Sequence, residues 1–467
     1  MSETIKVSRE IPVVADVDVV VAGGGIAGAT AAVAAAREGA RTILVDRFGY
    51  LGGNMGPGMF SGGVVHLALE HPYVQYERLK GIPGEFLDRC EGHADHLLGR
   101  DYLKDHQIVA YVWFKMMEEC NVHVMLNTFA CDPIMDGNTA TGLIIENKSG
   151  RQAIRAKVVI DATGDSSVSF RTGAPLYTSE MYVHPGMYFA VGGVDTEKYL
   201  AWRAQAQVSD EDVKWADDIA TRLGSWGVGR LKPFFPLMRR AWGSGEYRFV
   251  KPIGDLGVVT VDHGIYAPQH NMVGGQVGVA DSVLTPNTKR QIACGDNAVM
   301  TALETGCRIY IFETAQFLHR HVPGCENACL QMISPYFHAR GGRGVMSEYV
   351  LTKEDAAGGV KFDDVVFVTY DDDAAPGYDF PYRQLIPKGV GGMLAAGRSA
   401  IMPPPSNRAR WKCLTMGQIA GVAAAQAVRQ NVTPGKINVK QLQRALHRKY
   451  HADLGEPERV KELGLLA

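Results

Sequence analysis

Residues 17–22, Val17-Asp18-Val19-Val20-Val21-Ala22, form a nearly unbroken β-branched run, the pattern of a strand buried on both faces. Residues 29–36, rich in alanine, then read as a small-residue helix, and a second apolar strand follows at Arg41-Thr42-Ile43-Leu44-Val45. The pattern predicts helices near 83–89 and 108–119 and a strand at 122–126. Two paired strands are expected at 141–147 and 152–157, around the turn Lys148-Ser149-Gly150. Val158-Val159-Ile160-Asp161 is a further buried strand running into Ala162-Thr163-Gly164-Asp165, and it belongs in the same parallel sheet as the first. From about 166 to 373 the pattern changes to irregular strands, aromatic-rich segments and at least two helices. One of these covers 301–321 and is stopped by Pro323-Gly324. A strand returns at 392–398, an alanine-rich helix at 414–428 and an amphipathic helix at 439–454.

Between the first strand and helix lies Gly23-x-Gly25-x-x-Gly28. The first glycine makes the tight turn, the second lets backbone approach a pyrophosphate, and the third lets the helix pack on the strand. The helix amino terminus then faces the phosphates. Asp46 ends the second strand, where a carboxylate can accept hydrogen bonds from a ribose diol. The segment therefore predicts a bound dinucleotide. The loop from Arg47 to Gly58 contains Gly52, Gly53 and Asn54 and can lie flat against a planar ligand. No second fingerprint of this spacing follows Asp46, which argues against a tightly bound pyridine nucleotide.

A chain of 467 residues exceeds one ordinary core, so interwoven domains are expected: a nucleotide-binding domain from 1–165 completed by 374–435, an inserted unit at 166–373, and a peripheral helical tail at 436–467. The formal net charge of −2 argues against a nucleic-acid or anionic-membrane partner. The amino terminus lacks a signal-peptide pattern and no run is apolar enough to span a bilayer, so a cytoplasmic location is expected. The eight cysteines include no C-x-x-C pair, and Cys325-x-x-x-Cys329 has no further ligands at metal spacing, so reduced thiols and no metal site are expected. A small-molecule substrate, an electron acceptor of unspecified kind and a homo-oligomer complete the expected partners.

Several separated segments resemble the bacterial FAD-dependent oxidoreductase family of the glutathione-reductase-like flavoproteins. They are the fingerprint with Asp46, the Leu51-Gly52-Gly53 loop, Lys157 to Asp165, Arg340-x-x-Arg343 before Ser347-Glu348-Tyr349, Pro381-Tyr382-Arg383, and Ala396-Gly397-Arg398-Ser399 with Cys413 and Gly417-Gln418-Ile419-Ala420-Gly421. The resemblance implies an α/β fold: a Rossmann-like FAD-binding domain with a central parallel sheet, plus an inserted α+β substrate domain. It also implies non-covalent FAD rather than NAD. Expected at the cofactor are Gly23, Gly25, Ile26, Ala27, Gly28, Asp46, Arg47, Gly52, Gly53, Asn54, Ala162, Thr163, Gly164, Gly397 and Arg398. Cys413, Thr415 and Met416 join them on a helix that begins near Thr415 and points at the flavin pyrimidine edge. Cys413 reads either as a thiolate at that helix start or as a packing residue. His66 is a conceivable covalent attachment point, with non-covalent binding the default.

Flavin chemistry on a C–H bond needs a proton acceptor or donor and groups that hold the substrate. Histidine suits the first task near neutral pH. His263 and His270, both in segments read as loops, and His338 are the candidates, each against the alternative of a surface or satisfied core histidine. Arg340 and Arg343 match the family's paired arginines and read either as oxyanion binders or as partners of an internal salt bridge such as one to Glu348. Arg408 lies in a proline-rich stretch that departs from the family pattern and suggests altered substrate recognition. The expected activity is histidine-assisted hydride transfer between flavin N5 and a small or medium polar substrate, an alcohol, amine or unsaturated acid. Alternatives are non-redox hydration, elimination or isomerisation needing reduced FAD, and tRNA modification.

Overall fold

The computed structural model describes residues 5–58, 79–97, 106–178, 186–220, 228–253, 256–267, 271–279, 295–339, 342–369, 377–400 and 409–466. Its strands are β1 (Val13–Ala22), β2 (Thr42–Val45), β3 (His123–Met125), β4 (Phe129–Asp136), β5 (Thr139–Asn147), β6 (Gly150–Asp161), β7 (Leu176–Thr178), β8 (Gly186–Gly192), β9 (Val250–Ile253), β10 (Leu256–Ala267), β11 (Met272–Val279), β12 (Cys329–Ile333), β13 (Arg343–Val345), β14 (Val365–Thr369), β15 (Tyr378–Pro381) and β16 (Met393–Ala395). Its helices are α1 (Ile26–Arg37), α2 (Ile82–Leu97), α3 (His106–Glu119), α4 (Thr196–Gln205), α5 (Asp210–Ala220), α6 (Phe235–Ser244), α7 (Asn297–His321), α8 (Lys353–Ala357), α9 (Arg410–Gln430), α10 (Val439–Tyr450) and α11 (Pro457–Glu462).

Val19, Val20 and Val21 are fully buried because β1 is central: it pairs in parallel with β2 on one edge and β6 on the other. The seven-stranded sheet runs β3-β2-β1-β6-β5-β4, with β16 also on β6. Since β1 occupies one edge of β6, the other edge is shared. Gly150 to Arg155 pair antiparallel with β5, and Val159 to Asp161 pair in parallel with β16. The two strands expected at 152–157 and 158–161 are therefore one, as nothing between Gln152 and Asp161 breaks an extended chain. The return of β16 brings residues from the far end of the chain into the first sheet, where a parallel sheet requires long crossovers.

Two helices lie in backbone contact beside this sheet. A Cβ on Gly417 would meet the Ala27 carbonyl oxygen at 2.2 Å, and one on Gly421 the Ala31 carbonyl oxygen at 2.2 Å, so α9 runs parallel to α1 and needs both glycines. The alanines of α1 supply the facing small surface. Helix α9 starts at Arg410, five residues before the expected start near Thr415, because residues 410–414 contain nothing that breaks a helix.

The second sheet is antiparallel throughout, in the order β12-β8-β11-β10-β9. Leu303, Cys307, Tyr310, Ile311 and Leu318 of α7 pack with Met187, Phe189, Val191, Val273 and Val277 of the sheet in a separate core. That core runs from Met187 to Phe337, while Val345, Val366, Phe367, Tyr378 and Phe380 belong to the first core. The inserted core is thus narrower than the unit expected at 166–373. His263 is a correction of another kind: it lies within β10 rather than in a loop, the β-branched residues around it extending the strand past Gly264.

Candidate cofactor site

Four chain segments converge where parallel strands end, the place where open α/β sheets bind ligands. They follow β1 (Gly23 to Gly28), β2 (Asp46 to Asn54), β6 (Ala162 to Gly164) and β16 (Gly397 and Arg398). Gly23 has φ +100°, and a Cβ there would lie 2.5 Å from the Ala162 carbonyl oxygen. At Gly28 a Cβ would lie 1.7 Å from the Gly23 carbonyl oxygen, so both glycines are demanded by the fold. Gly25 differs: a Cβ there would meet no protein atom within 4 Å. It is the N-cap of α1, without a side-chain cap, so the first N–H groups of the helix face open space beside it.

The neighbouring loops close around this cradle. Gly52 donates its N–H to the Gly24 carbonyl at 2.9 Å, and a Cβ on Gly53 would reach the Gly25 Cα at 3.0 Å. Asp46 is buried, its Oδ2 accepting from the Gly24 amide and its Oδ1 from the Phe48 amide at 2.7 Å. Burial pushes its carboxyl above the ordinary range, against the Phe48 and Gly24 amides and the Arg47 charge, which favour the ionised form. Each carboxylate oxygen keeps acceptor capacity beyond the one amide it receives, as a ribose diol requires. The Arg47 guanidinium carbon stands 4.6 Å from the Phe48 ring centroid, and the Phe48 ring stacks on Tyr336 at 4.7 Å.

The far side is pinned by a buried carboxylate. Asp161 is inaccessible to solvent and receives six donors: the Thr163 amide and hydroxyl and the Ser399 hydroxyl at Oδ1, and the Val168 amide, Ser169 amide and Ser169 hydroxyl at Oδ2. Ser399 Oγ in turn accepts from the Gly164 amide at 2.9 Å and the Ser166 amide at 3.2 Å. One hydroxyl thus ties the turn after β6 to the turn after β16. Arg398 pairs with Asp165 at 2.8 Å, and a Cβ on Gly397 would press on the Ala27 side chain at 2.7 Å. Asp161, Asp165 and Ser399 lay within motifs recognised in the sequence, but their part as braces depends on contacts across more than 230 residues in the case of Ser399.

A chain matching the family profile described as FAD dependent oxidoreductase over residues 18–446 has that match across nearly its whole length. The chain belongs to that family. The cofactor of this flavoenzyme is FAD, and the residues present fit it: the cradle at Gly25, the uncapped helix start and the Asp46 carboxylate suit a pyrophosphate flanked by a ribose. Thiamine thiazole synthase of Methanococcus maripaludis strain C5 is 29% identical over 168 residues, 34% of this chain and 60% of its own length. The same enzyme of strain C7 is 28% identical over 166 residues, 34% of this chain and 59% of its own. The flavoenzyme thus spans about 60% of the length of these curated relatives. Among solved structures, a geranylgeranyl bacteriochlorophyll reductase-like protein from Thermoplasma acidophilum aligns over 93% of this chain and 84% of its own, with 14% identity and a TM-score of 0.42. A p-nitrophenol 4-monooxygenase from Pseudomonas putida aligns over 97% and 93%, with 12% identity and a TM-score of 0.39.

The remaining site residues are spread more widely. Ile26 and Ala27 open α1 beside the cradle. Cys413 is buried in the first turn of α9, Thr415 Oγ1 donates to the Trp411 carbonyl at 2.9 Å, and Met416 is fully buried in the first core. His66, His270, Arg340 and Arg408 lie outside the described residues, and so does the side chain of His263. His338 is 1% exposed and bridges the two cores: its backbone pairs with Gly186 at the end of β8, and its Nε2 meets the Gly58 carbonyl at 2.6 Å. A carbonyl only accepts, so Nε2 carries the hydrogen. Beside it, the Tyr336 hydroxyl donates to Asn54 Oδ1 at 2.5 Å. Burial pushes the Tyr336 phenol well above its ordinary pKa. Tyr336 was absent from the candidates, and only its place two residues before His338 pointed to it. Arg343 makes no ion pair with Glu348, whose Oε1 accepts from the Gly389 amide at 3.3 Å. Its guanidinium carbon stands 4.3 Å from the Phe170 ring centroid, its Nε is shut from solvent without a hydrogen-bond partner, and no carboxylate among the described residues pairs with it.

Among the described residues no group of three or more His, Cys, Asp or Glu side chains could hold a metal ion, and no helix is long and apolar enough to cross a membrane.

Proposed function

We propose that the flavoenzyme moves a hydride between flavin N5 and a small or medium polar substrate, an alcohol, an amine or an unsaturated acid, with His338 handling the accompanying proton. The observation that carries this reading is the placement of a buried imidazole between the nucleotide-side loop, at Gly58, and the edge of the inserted sheet, at Gly186. FAD supplies hydride acceptance or donation when bound. The chain supplies the rest. With Nε2 donating to Gly58, the neutral imidazole presents Nδ1 as its basic nitrogen, which takes a substrate proton in one direction and returns it in the other. The Gly58 carbonyl then faces an imidazolium N–H and steadies the charge. Arg343, stacked on Phe170 and with no carboxylate partner among the described residues, suits the oxyanion of a carboxylate-bearing substrate. Its β13 strand is continuous with Ser347, which bridges to Pro387 just before β16 returns to the sheet.

The test is anaerobic photometry of the FAD-loaded protein against hydroxy acids, simple alcohols, amines and, after chemical reduction, unsaturated acids. Bleaching or reoxidation by a member of one class, slowed on the order of 100-fold or more in His338→Gln, supports the reading. Full-rate half-reactions in that variant would remove His338 from proton transfer. Turnover that needs reduced FAD but leaves substrate and product at one oxidation level would replace net hydride transfer with the non-redox alternative.

A further inference from the structure

Helix α7 buries one face in the second core and leaves the opposite face bare over its whole length. Of its exposed positions, which also include Asn297, Thr301 and Arg320, Ala298, Ala302, Thr305, Ile309, Phe312, Gln316 and His319 form a line spaced alternately by four and three residues. This is the 3.5-residue repeat of a helix–helix seam, not the pattern of a solvated face. No Asp, Glu, Lys or Arg interrupts it, whereas the flanking charges are already engaged within the chain, Arg308 with Glu304 and Glu313 with Lys251. Ile309 and Phe312 at its centre are 48% and 57% exposed.

The seam is also graded in size. Its first half carries Ala298, Ala302 and Thr305, its second half Phe312, Gln316 and His319, and Ile309 stands at the midpoint of α7. A second copy laid antiparallel about a two-fold axis at Ile309 sets each small residue against a large one. Thr305 faces Phe312, Ala302 faces Gln316, Ala298 faces His319, and Ile309 faces itself. Interdigitation of small with large is what dense packing of two helices requires. The antiparallel pairing also sets the two helix dipoles head to tail and brings the exposed Arg320 of one helix to the exposed Asp296 cap of the other. A surface complementary to itself under a two-fold rotation is the property of an isologous dimer interface. We infer that the flavoenzyme is a homodimer whose interface is the antiparallel pairing of α7 with α7 of a second copy.

Sedimentation velocity of the full-length, FAD-loaded protein from about 0.5 to 50 μM tests this, with thermal melting as the control for folding. The wild type is expected to sediment at twice the chain mass, and Ile309→Arg, an exposed change that leaves the second core untouched, at the chain mass with an unaltered melt. In a Cys329→Ser background, Ile309→Cys is expected to form a disulfide-linked dimer on mild oxidation and Gln316→Cys is not, because only position 309 meets its own copy. A wild type that stays monomeric throughout, a dimer that survives Ile309→Arg, or equal cross-linking at 309 and 316 overturns the inference.

Discussion

Gly25→Ala separates the glycine that serves the ligand from those that serve the fold. At Gly25 the backbone has φ −64° and ψ 177°, open to any residue, and the added methyl would meet no protein atom within 4 Å. Replacing glycine by alanine stiffens the unfolded chain, a gain of about 0.4–1 kcal/mol, while alanine is a poorer N-cap than glycine by a similar amount. The two effects offset, so the apoprotein should melt within about 0.5 kcal/mol of wild type. The methyl does, however, occupy the space a pyrophosphate needs against the first N–H groups of α1. Loss of one or two hydrogen bonds to a charged group, each worth about 1.5–3 kcal/mol, weakens FAD binding by roughly ten-fold to 20,000-fold. Gly28→Ala should behave in the opposite way. There the methyl would lie 1.7 Å from the Gly23 carbonyl oxygen, and the apoprotein should lose on the order of 3 kcal/mol or more. Quenching of flavin fluorescence on titration into apoprotein gives the affinities, and denaturant melts of the same apoprotein give the stabilities. An apoprotein of Gly25→Ala destabilised as much as that of Gly28→Ala, or one that binds FAD like wild type, would refute the assignment of Gly25 to the pyrophosphate.

Further expectations concern the carboxylates and the seam between the cores. Asp161→Asn places an amide among six donors and should cost about 3–5 kcal/mol in the denaturant melt; a cost under about 1 kcal/mol would mean that the turns after β6 and β16 are not held through this group. Asp18 is buried, which alone would raise its pKa, but the Arg41 amide and the Lys157 and Arg41 side chains outweigh this and lower it to about 2. Its folded pKa lies below its unfolded one, so its stabilisation is complete above about pH 4 and disappears as pH falls to about 2. Asp18→Asn should therefore cost up to about 2 kcal/mol at pH 7 and nothing at pH 2, and a pH-independent difference would contradict the ion pairs. Tyr336→Phe removes the hydroxyl contact with Asn54 and should loosen the loop after Gly53, seen as faster amide exchange at residues 54–58, while leaving the second core's melt unchanged.

The nucleotide-binding half was legible because its signals are local. A strand buried on both faces must be apolar at every position, and backbone-to-backbone contact at Gly23 and Gly28 admits only glycine, so both leave marks in adjacent residues. The same holds for α9, whose Gly417 and Gly421 were read in the sequence as part of the family pattern, although its start was placed five residues late. What could not be read locally is the closure of the site. Tyr336 meets Asn54 across 282 residues and His338 meets Gly58 across 280, and no periodicity in either segment encodes the other. His263 was read as part of a loop, whereas pairing with Gly275 of β11 holds the segment extended. The α7 seam escaped for a related reason: helix 301–321 was recognised, but which of its faces the sheet covers is decided by β8 and β11, more than twenty residues away.

The position of the braces suggests why the chain returns to its first sheet at all. A fingerprint, an acid and one helix start would suffice to hold a pyrophosphate and a ribose, and all lie within residues 23–54. The family resemblance expects Gly397 and Arg398 at the cofactor as well, where the sheet presents the ends of β6 and β16. Those two ends are held together by Ser399, which accepts from the amides of Gly164 and Ser166 while donating to Asp161. Removing the carboxy-terminal return would leave β6 with an open edge at Val159 to Asp161 and Asp161 with one donor fewer. FAD that touches both the Gly25 cradle and the Gly397 turn binds only the closed arrangement, and by linkage it stabilises that arrangement by about 2.7 kcal/mol at a hundred times its dissociation constant. For FAD that makes both contacts, cofactor affinity and the docking of β16 onto β6 are one equilibrium seen from two sides.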